Sequence, residues 1–144
     1  MKFTHYQRVV WVLGPCLLGS CALPFDAAFH SYQEAGIWFL EAPEMVKVGD
    51  RVRIDVGTVG PNGCHTLDAV SAEVDQSKRE VIVRATSRVR GQICTMALVY
   101  DEGSTSFTPT ATGTYLIKAN NFSLGGPRPA SASATVSIEV VAAD

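Results

Sequence analysis

The sequence has 144 residues, a length that fits one domain. Apolar residues make up 47% and charged residues 18%, which supports a buried core and excludes a wholly disordered chain. The formal charge is −2; Lys2 and Arg8 are two of the 12 basic residues and positions 1–20 hold none of the 14 acidic ones, so the part from Cys21 onward sets 10 against 14, and without a Lys/Arg cluster it offers nucleic acid or an anionic membrane surface no electrostatic footing.

In chain order, the first element is a leader. Lys2 and Arg8 precede Val9-Val10-Trp11-Val12-Leu13 and Cys16-Leu17-Leu18, an apolar run interrupted by Gly14-Pro15. Basic, then apolar, then small is the pattern of an export signal, expected over residues 1–20. The run is well short of the roughly 20 apolar residues that a membrane-spanning helix needs. Leu18-Gly19-Ser20-Cys21 resembles the lipobox of bacterial lipoproteins, in which an aliphatic and two small residues precede the cysteine that takes the lipid. The resemblance implies removal of the leader and acylation of Cys21 with chains such as palmitate, hence a membrane anchor in the bacterial cell envelope. Ala22 follows the cysteine and no Asp stands there, which in that family implies the periplasmic face of the outer membrane if the host is Gram-negative. The competing reading is ordinary cleavage near Ala22 or Ala27-Ala28, with Cys21 incidental.

Residues 21–35 have no sustained period and are expected to form a lipidated, flexible tether; residues 36–144 are expected to form the domain. Val52, Ile54 and Val56 alternate with Arg51, Arg53 and Asp55, the pattern of a strand with one wet face. The same alternation runs through Val81, Val83 and Ala85, through Tyr115, Ile117 and Ala119, and through Ala134, Val136, Ile138 and Val140. Turn signals separate the runs, among them Val48-Gly49-Asp50, Gly60-Pro61-Asn62-Gly63 and Asp75-Gln76-Ser77-Lys78. No helical period with caps is present. Seven to eight short strands at this spacing predict an all-β chain folded as a single antiparallel β-sandwich.

Of four cysteines, Cys16 leaves with the leader and Cys21 takes lipid, so Cys64 and Cys94 remain as a disulfide pair in an oxidising compartment. Cys64 shares strand parity with Val70, Ala72 and Val74, and Cys94 with Met96 and Leu98, which places both thiols on the apolar side.

Ala42-Pro43-Glu44-Met45-Val46-Lys47-Val48-Gly49-Asp50-Arg51-Val52 resembles the first strand pair of immunoglobulin-like sandwiches. Phe107-Thr108-Pro109, followed by Gly113-Thr114-Tyr115-Leu116-Ile117, is similar to the Gly-x-Tyr start of one of their late strands. Ile117 stands where antibody-type domains have a cysteine two residues after the tyrosine, so the resemblance implies an immunoglobulin-like envelope domain with its own disulfide placement and no particular activity.

His65 is the only histidine of the expected folded part, and no nucleophile motif accompanies it. Asp68 lies three residues on, a spacing that puts strand residues on opposite faces, so His65 is expected as a surface histidine beside the disulfide. A metal reading is the alternative: imidazole and thioether suit copper, and His65 with Met96 would make the protein a periplasmic copper handler. Met96, however, shares the inward parity of Cys94 and fits the core. Arg84 and Arg88 share one strand face and Arg90 extends it, which gives either a solvated face or an anion- or partner-facing stripe. The Gly/Pro-rich loop 120–129 carries Phe122 and Leu124, large apolar groups with little local reason to be there. These observations predict a non-enzymatic, lipid-anchored binding or interaction module without a cofactor, whose partner is a protein or envelope component.

Overall fold

The computed structural model describes residues 30–91, 93–124, 126 and 135–143. The expected leader, Cys21 and the first part of the expected tether lie outside these described residues. The described residues form nine strands and no helix: β1 (His30–Glu34), β2 (Gly36–Glu41), β3 (Met45–Lys47), β4 (Val52–Gly60), β5 (His65–Asp75), β6 (Glu80–Arg90), β7 (Val99–Phe107), β8 (Gly113–Ala119) and β9 (Thr135–Val141).

Two sheets face each other. In the larger, β6 is the spine: β5 pairs along one edge, while β8 and β1 share the other, β8 at residues 80–83 and β1 at 86–90. β9 and β3 complete that sheet, and β2, β4 and β7 make the smaller one. The all-β, two-sheet expectation is met, with a correction to its purely antiparallel character: β6–β8 and β3–β9 are parallel pairs. The chain passes through β7 in the other sheet between β6 and β8, and such a crossover returns a strand in parallel where a hairpin cannot.

The alternating runs bury the side chains that their period assigns. Val52, Ile54 and Val56 from one sheet meet Val81, Val83, Ala85, Tyr115, Ile117, Ile138 and Val140 from the other. Tyr115, the largest of the fully buried side chains, donates its hydroxyl hydrogen bond to Gln76 Oε1 at 2.7 Å, so its one polar atom is satisfied. At the β5–β6 turn, Asp75 Oδ1 accepts from the Ser77 hydroxyl at 2.6 Å and from the Ser77 and Lys78 amides at 3.1 Å. The Ser77 hydroxyl first, and then Lys78 through its ammonium 2.9 Å from Oδ2 and through its amide, hold the Asp75 carboxyl well below the usual carboxylate range.

Two expectations fail in instructive ways. The tether does not extend to residue 35: residues 30–34 form β1, with His30 opposite Arg90 and Glu34 opposite Thr86. All five β1 side chains are exposed, so the strand is held through its backbone and leaves no alternation to read. The parity assigned to Cys94, Met96 and Leu98 also fails, because residues 93–98 are not a strand. In β5, a bulge between Leu67 and Ala69 breaks the alternation that was carried from Cys64 to Val70.

Candidate functional site

The disulfide is present: Cys64, immediately before β5, is bonded to Cys94, with the Cα atoms 5.3 Å apart. Gly63 N donates to Thr95 O at 3.0 Å and Arg90 N to Cys64 O at 3.0 Å, so residues 93–98 are fastened at the open end of the β5–β6 hairpin. Fastened there, Met96 is 94% exposed, which corrects its assignment to the core. His65 needs the opposite correction. It is only 8% exposed, with Nδ1 3.2 Å from the Ser87 hydroxyl, because its side chain and Ser87 face inward on adjacent strands. Asp68 forms an ion pair at 3.8 Å with Arg88 on the outer face, so His65 and Asp68 point apart. His65 and Met96 thus occupy opposite surroundings, one enclosed and one in solvent, and the described residues contain no group of three or more His, Cys, Asp or Glu that could hold a metal ion.

Two arginines of the stripe have carboxylate partners. Arg84 lies 3.9 Å from both Glu34 and Glu73, and Arg88 has Asp68. The exposed Arg84 pairs contribute roughly 0–1 kcal/mol each, whereas the Arg88–Asp68 pair is partly buried.

The 120s loop is built on β2. Ile37 N donates to Asn121 O at 2.7 Å and Ser123 N to Ile37 O at 2.8 Å, which makes Phe122 a parallel bridge partner of Ile37. Phe122 is half-buried at this junction. Leu124, one residue beyond the fastened segment, is 91% exposed. The backbone then passes Gly126 against the Trp38 indole, where any Cβ would overlap the ring. Residues 125 and 127–129 of the expected loop lie outside the described residues.

Trp38 belongs to a second apolar cluster with Phe39 and Val59, at the edge and outer face of the small sheet. Its ring meets Phe39 edge-on at 4.5 Å and Tyr100 at 6.1 Å. A bulge between Ile37 and Phe39 makes this possible, since it lets four consecutive residues, Ile37 to Leu40, all be buried. Gly57 is the seat for Phe39: a Cβ there would overlap the ring. Gly57→Ala is therefore expected to destabilise by about 1–3 kcal/mol, the usual range for overpacking, and chemical denaturation would show it. A loss below about 0.5 kcal/mol would mean that the Phe39 ring moves away freely. Beyond Phe39 the same face holds an open, polar hollow of about 530 Å³ lined by Glu41, Arg53, Asp55, Glu102 and Ser104, with Arg53 and Asp55 paired at 2.7 Å.

Comparison with known proteins adds a family. The model of a family described as the ORF11 beta-sandwich domain matches residues 53–126, from β4 in the small sheet to the glycine beneath Trp38. No curated protein and no solved structure matches the chain.

Proposed function

We propose that this chain, which belongs to the ORF11 beta-sandwich domain family, is a lipid-anchored binding module of the bacterial cell envelope that acts by surface recognition and not by catalysis. The observation that carries this reading is Leu124, a large apolar side chain 91% exposed immediately after a segment pinned to β2 by two backbone hydrogen bonds. A pinned backbone presents the side chain without a large ordering cost on binding, and apolar anchors of this kind can dominate an interface when they fill a partner's pocket. The Leu18–Cys21 lipobox pattern behind a basic and apolar leader supports the anchor, and the Cys64–Cys94 bridge fits an oxidising compartment. Ala22 after the acceptor cysteine favours the periplasmic face of the outer membrane in a Gram-negative host. The partner is a protein or another envelope component.

The test is a paired measurement of melting temperature and of capture from detergent-solubilised membranes by the intact lipoprotein. Leu124→Ala is expected to change stability by less than about 0.5 kcal/mol, as for other exposed positions, while reducing capture severalfold. Phe122→Ala, at a half-buried bridge position, is expected to cost about 1–3 kcal/mol. Undiminished capture by the Leu124 variant would remove this loop from the recognition surface.

A further inference from the structure

The segment fastened by the disulfide carries exposed apolar side chains of its own. Ile93 is 98% exposed, Met96 94% and Leu98 53%. A loop with free ends could fold such side chains inward, but here Cys94 is bonded to Cys64 and Thr95 O is held by Gly63 N, so Ile93 and Met96 are displayed on either side of a staple.

Position, charge and the course of the chain indicate what they face. His30 opposes Arg90 in register, Arg90 N bonds Cys64 O, and Cys64 is bonded to Cys94, so the first described residue of β1 enters at this same tip. Residues 57–67 and 85–100 include no Asp or Glu; the carboxylates that follow them are engaged, Asp68 with Arg88 and Asp101 with the Leu67 amide, and Arg90 is a cation at the margin of the tip. The far end of the β5–β6 hairpin is the opposite in character, with Asp75, Lys78, Arg79 and Glu80 in or beside its turn. Each of these strands has 11 residues, so at about 3.3 Å per residue the two ends stand roughly 35 Å apart. Cys21 is nine Cα steps before His30, a reach of at most about 32 Å in any conformation.

We infer that the tip formed by Ile93, Met96 and Leu98 rests in the headgroup–acyl boundary of the phospholipid bilayer that anchors the chain, so that the sandwich stands on the membrane through its disulfide-stapled end. The inference rests on the lipid-anchor reading: a lipid at Cys21 keeps the tip within that reach of the bilayer. Three apolar side chains are a weak membrane ligand in free solution, and the tether makes their contact effectively intramolecular. The contact is apolar, in keeping with a chain whose charge offers no electrostatic adhesion. The charged turn then faces away from the membrane.

The experiment uses the intact lipoprotein reconstituted into phosphatidylethanolamine–phosphatidylglycerol vesicles that contain a phospholipid with a photoactivatable acyl chain. Irradiation is followed by peptide mapping. Lipid adducts are expected on the peptide containing Ile93–Leu98, about tenfold above those on the Asp75–Lys78 peptide. Ile93→Asp combined with Met96→Asp is expected to remove that enrichment while leaving the melting temperature and the lipid mass on the N-terminal peptide unchanged. Adducts confined to the N-terminal peptide would overturn the tip contact and leave the anchor standing. An N-terminal peptide without lipid mass would overturn both. A dimer cross-linked through tips that carry no lipid label would overturn the bilayer in favour of a second copy of the chain.

Discussion

A Cys64→Ala, Cys94→Ala double variant is expected to unfold at a free energy roughly 3–4 kcal/mol below that of the parent, the chain-entropy value for a closed loop of this length. The residues are separated by 30 positions, and the segment between them contains the whole β5–β6 hairpin. The bridge thus closes the open end of a hairpin that the Asp75–Lys78 turn closes at the other, and most of its effect lies in the unfolded chain, which loses the conformations in which the two ends part. Against a total of about 5–15 kcal/mol for a domain, that loss is a large fraction. There is also a local consequence. Without the bridge, residues 93–98 keep the backbone bond from Gly63 N to Thr95 O, and that amide is expected to exchange with solvent much faster while the β6 amides facing β5 stay protected. Urea denaturation, with each chain extrapolated to water on its own slope, measures the first effect, and native-state hydrogen exchange the second. A loss under about 1 kcal/mol would show that the hairpin ends stay together without covalent help.

The parts of the fold legible in the sequence are those where one side chain faces a core and the next faces water. Val52, Ile54 and Val56, or Val81, Val83 and Ala85, advertise their inward face because burial and exposure alternate with the pleat. The pattern goes silent where that condition lapses. β1 is exposed on both faces, so His30-Ser31-Tyr32-Gln33-Glu34 carries no period although each residue is in register with one of β6. Ile37-Trp38-Phe39-Leu40 is apolar throughout because a bulge directs its residues into two clusters, and the sequence shows the run without showing that division. Parity arguments also need a continuous strand. The bulge in β5 and the irregular course of residues 93–98 removed that premise, and His65 and Met96 exchanged their expected surroundings as a result. The disulfide itself was legible because it followed from cysteine counting, which does not depend on register. Phe122 and Leu124 were legible as a pair, but what separates them, a bridge to Ile37 for one and solvent for the other, is a tertiary contact.

Replacing Cys21 with Ser is expected to stop maturation altogether, leaving a full-length chain with its leader in the membrane fraction. In the family that the pattern resembles, the cysteine sulfur takes the lipid, and a serine hydroxyl does not supply that nucleophile. The apolar run Val9–Leu13 with Cys16–Leu18 then stays in place and holds the chain to the bilayer. Under the competing reading, cleavage near Ala22 or Ala27-Ala28 does not depend on the thiol, and the same variant would be trimmed and released as a soluble domain. Immunoblotting of membrane and soluble fractions, with the mass of the N-terminal peptide, separates the two. The Cys64–Cys94 pair adds an internal reporter of compartment, since it lies in the domain and is untouched by the substitution. In the uncleaved Cys21→Ser chain that bridge is expected to be formed, which would place the domain on the oxidising side of the membrane even though processing has failed. Free thiols at Cys64 and Cys94 in that precursor would instead show that the domain never crossed, and the export reading of the leader would fall with the lipid anchor.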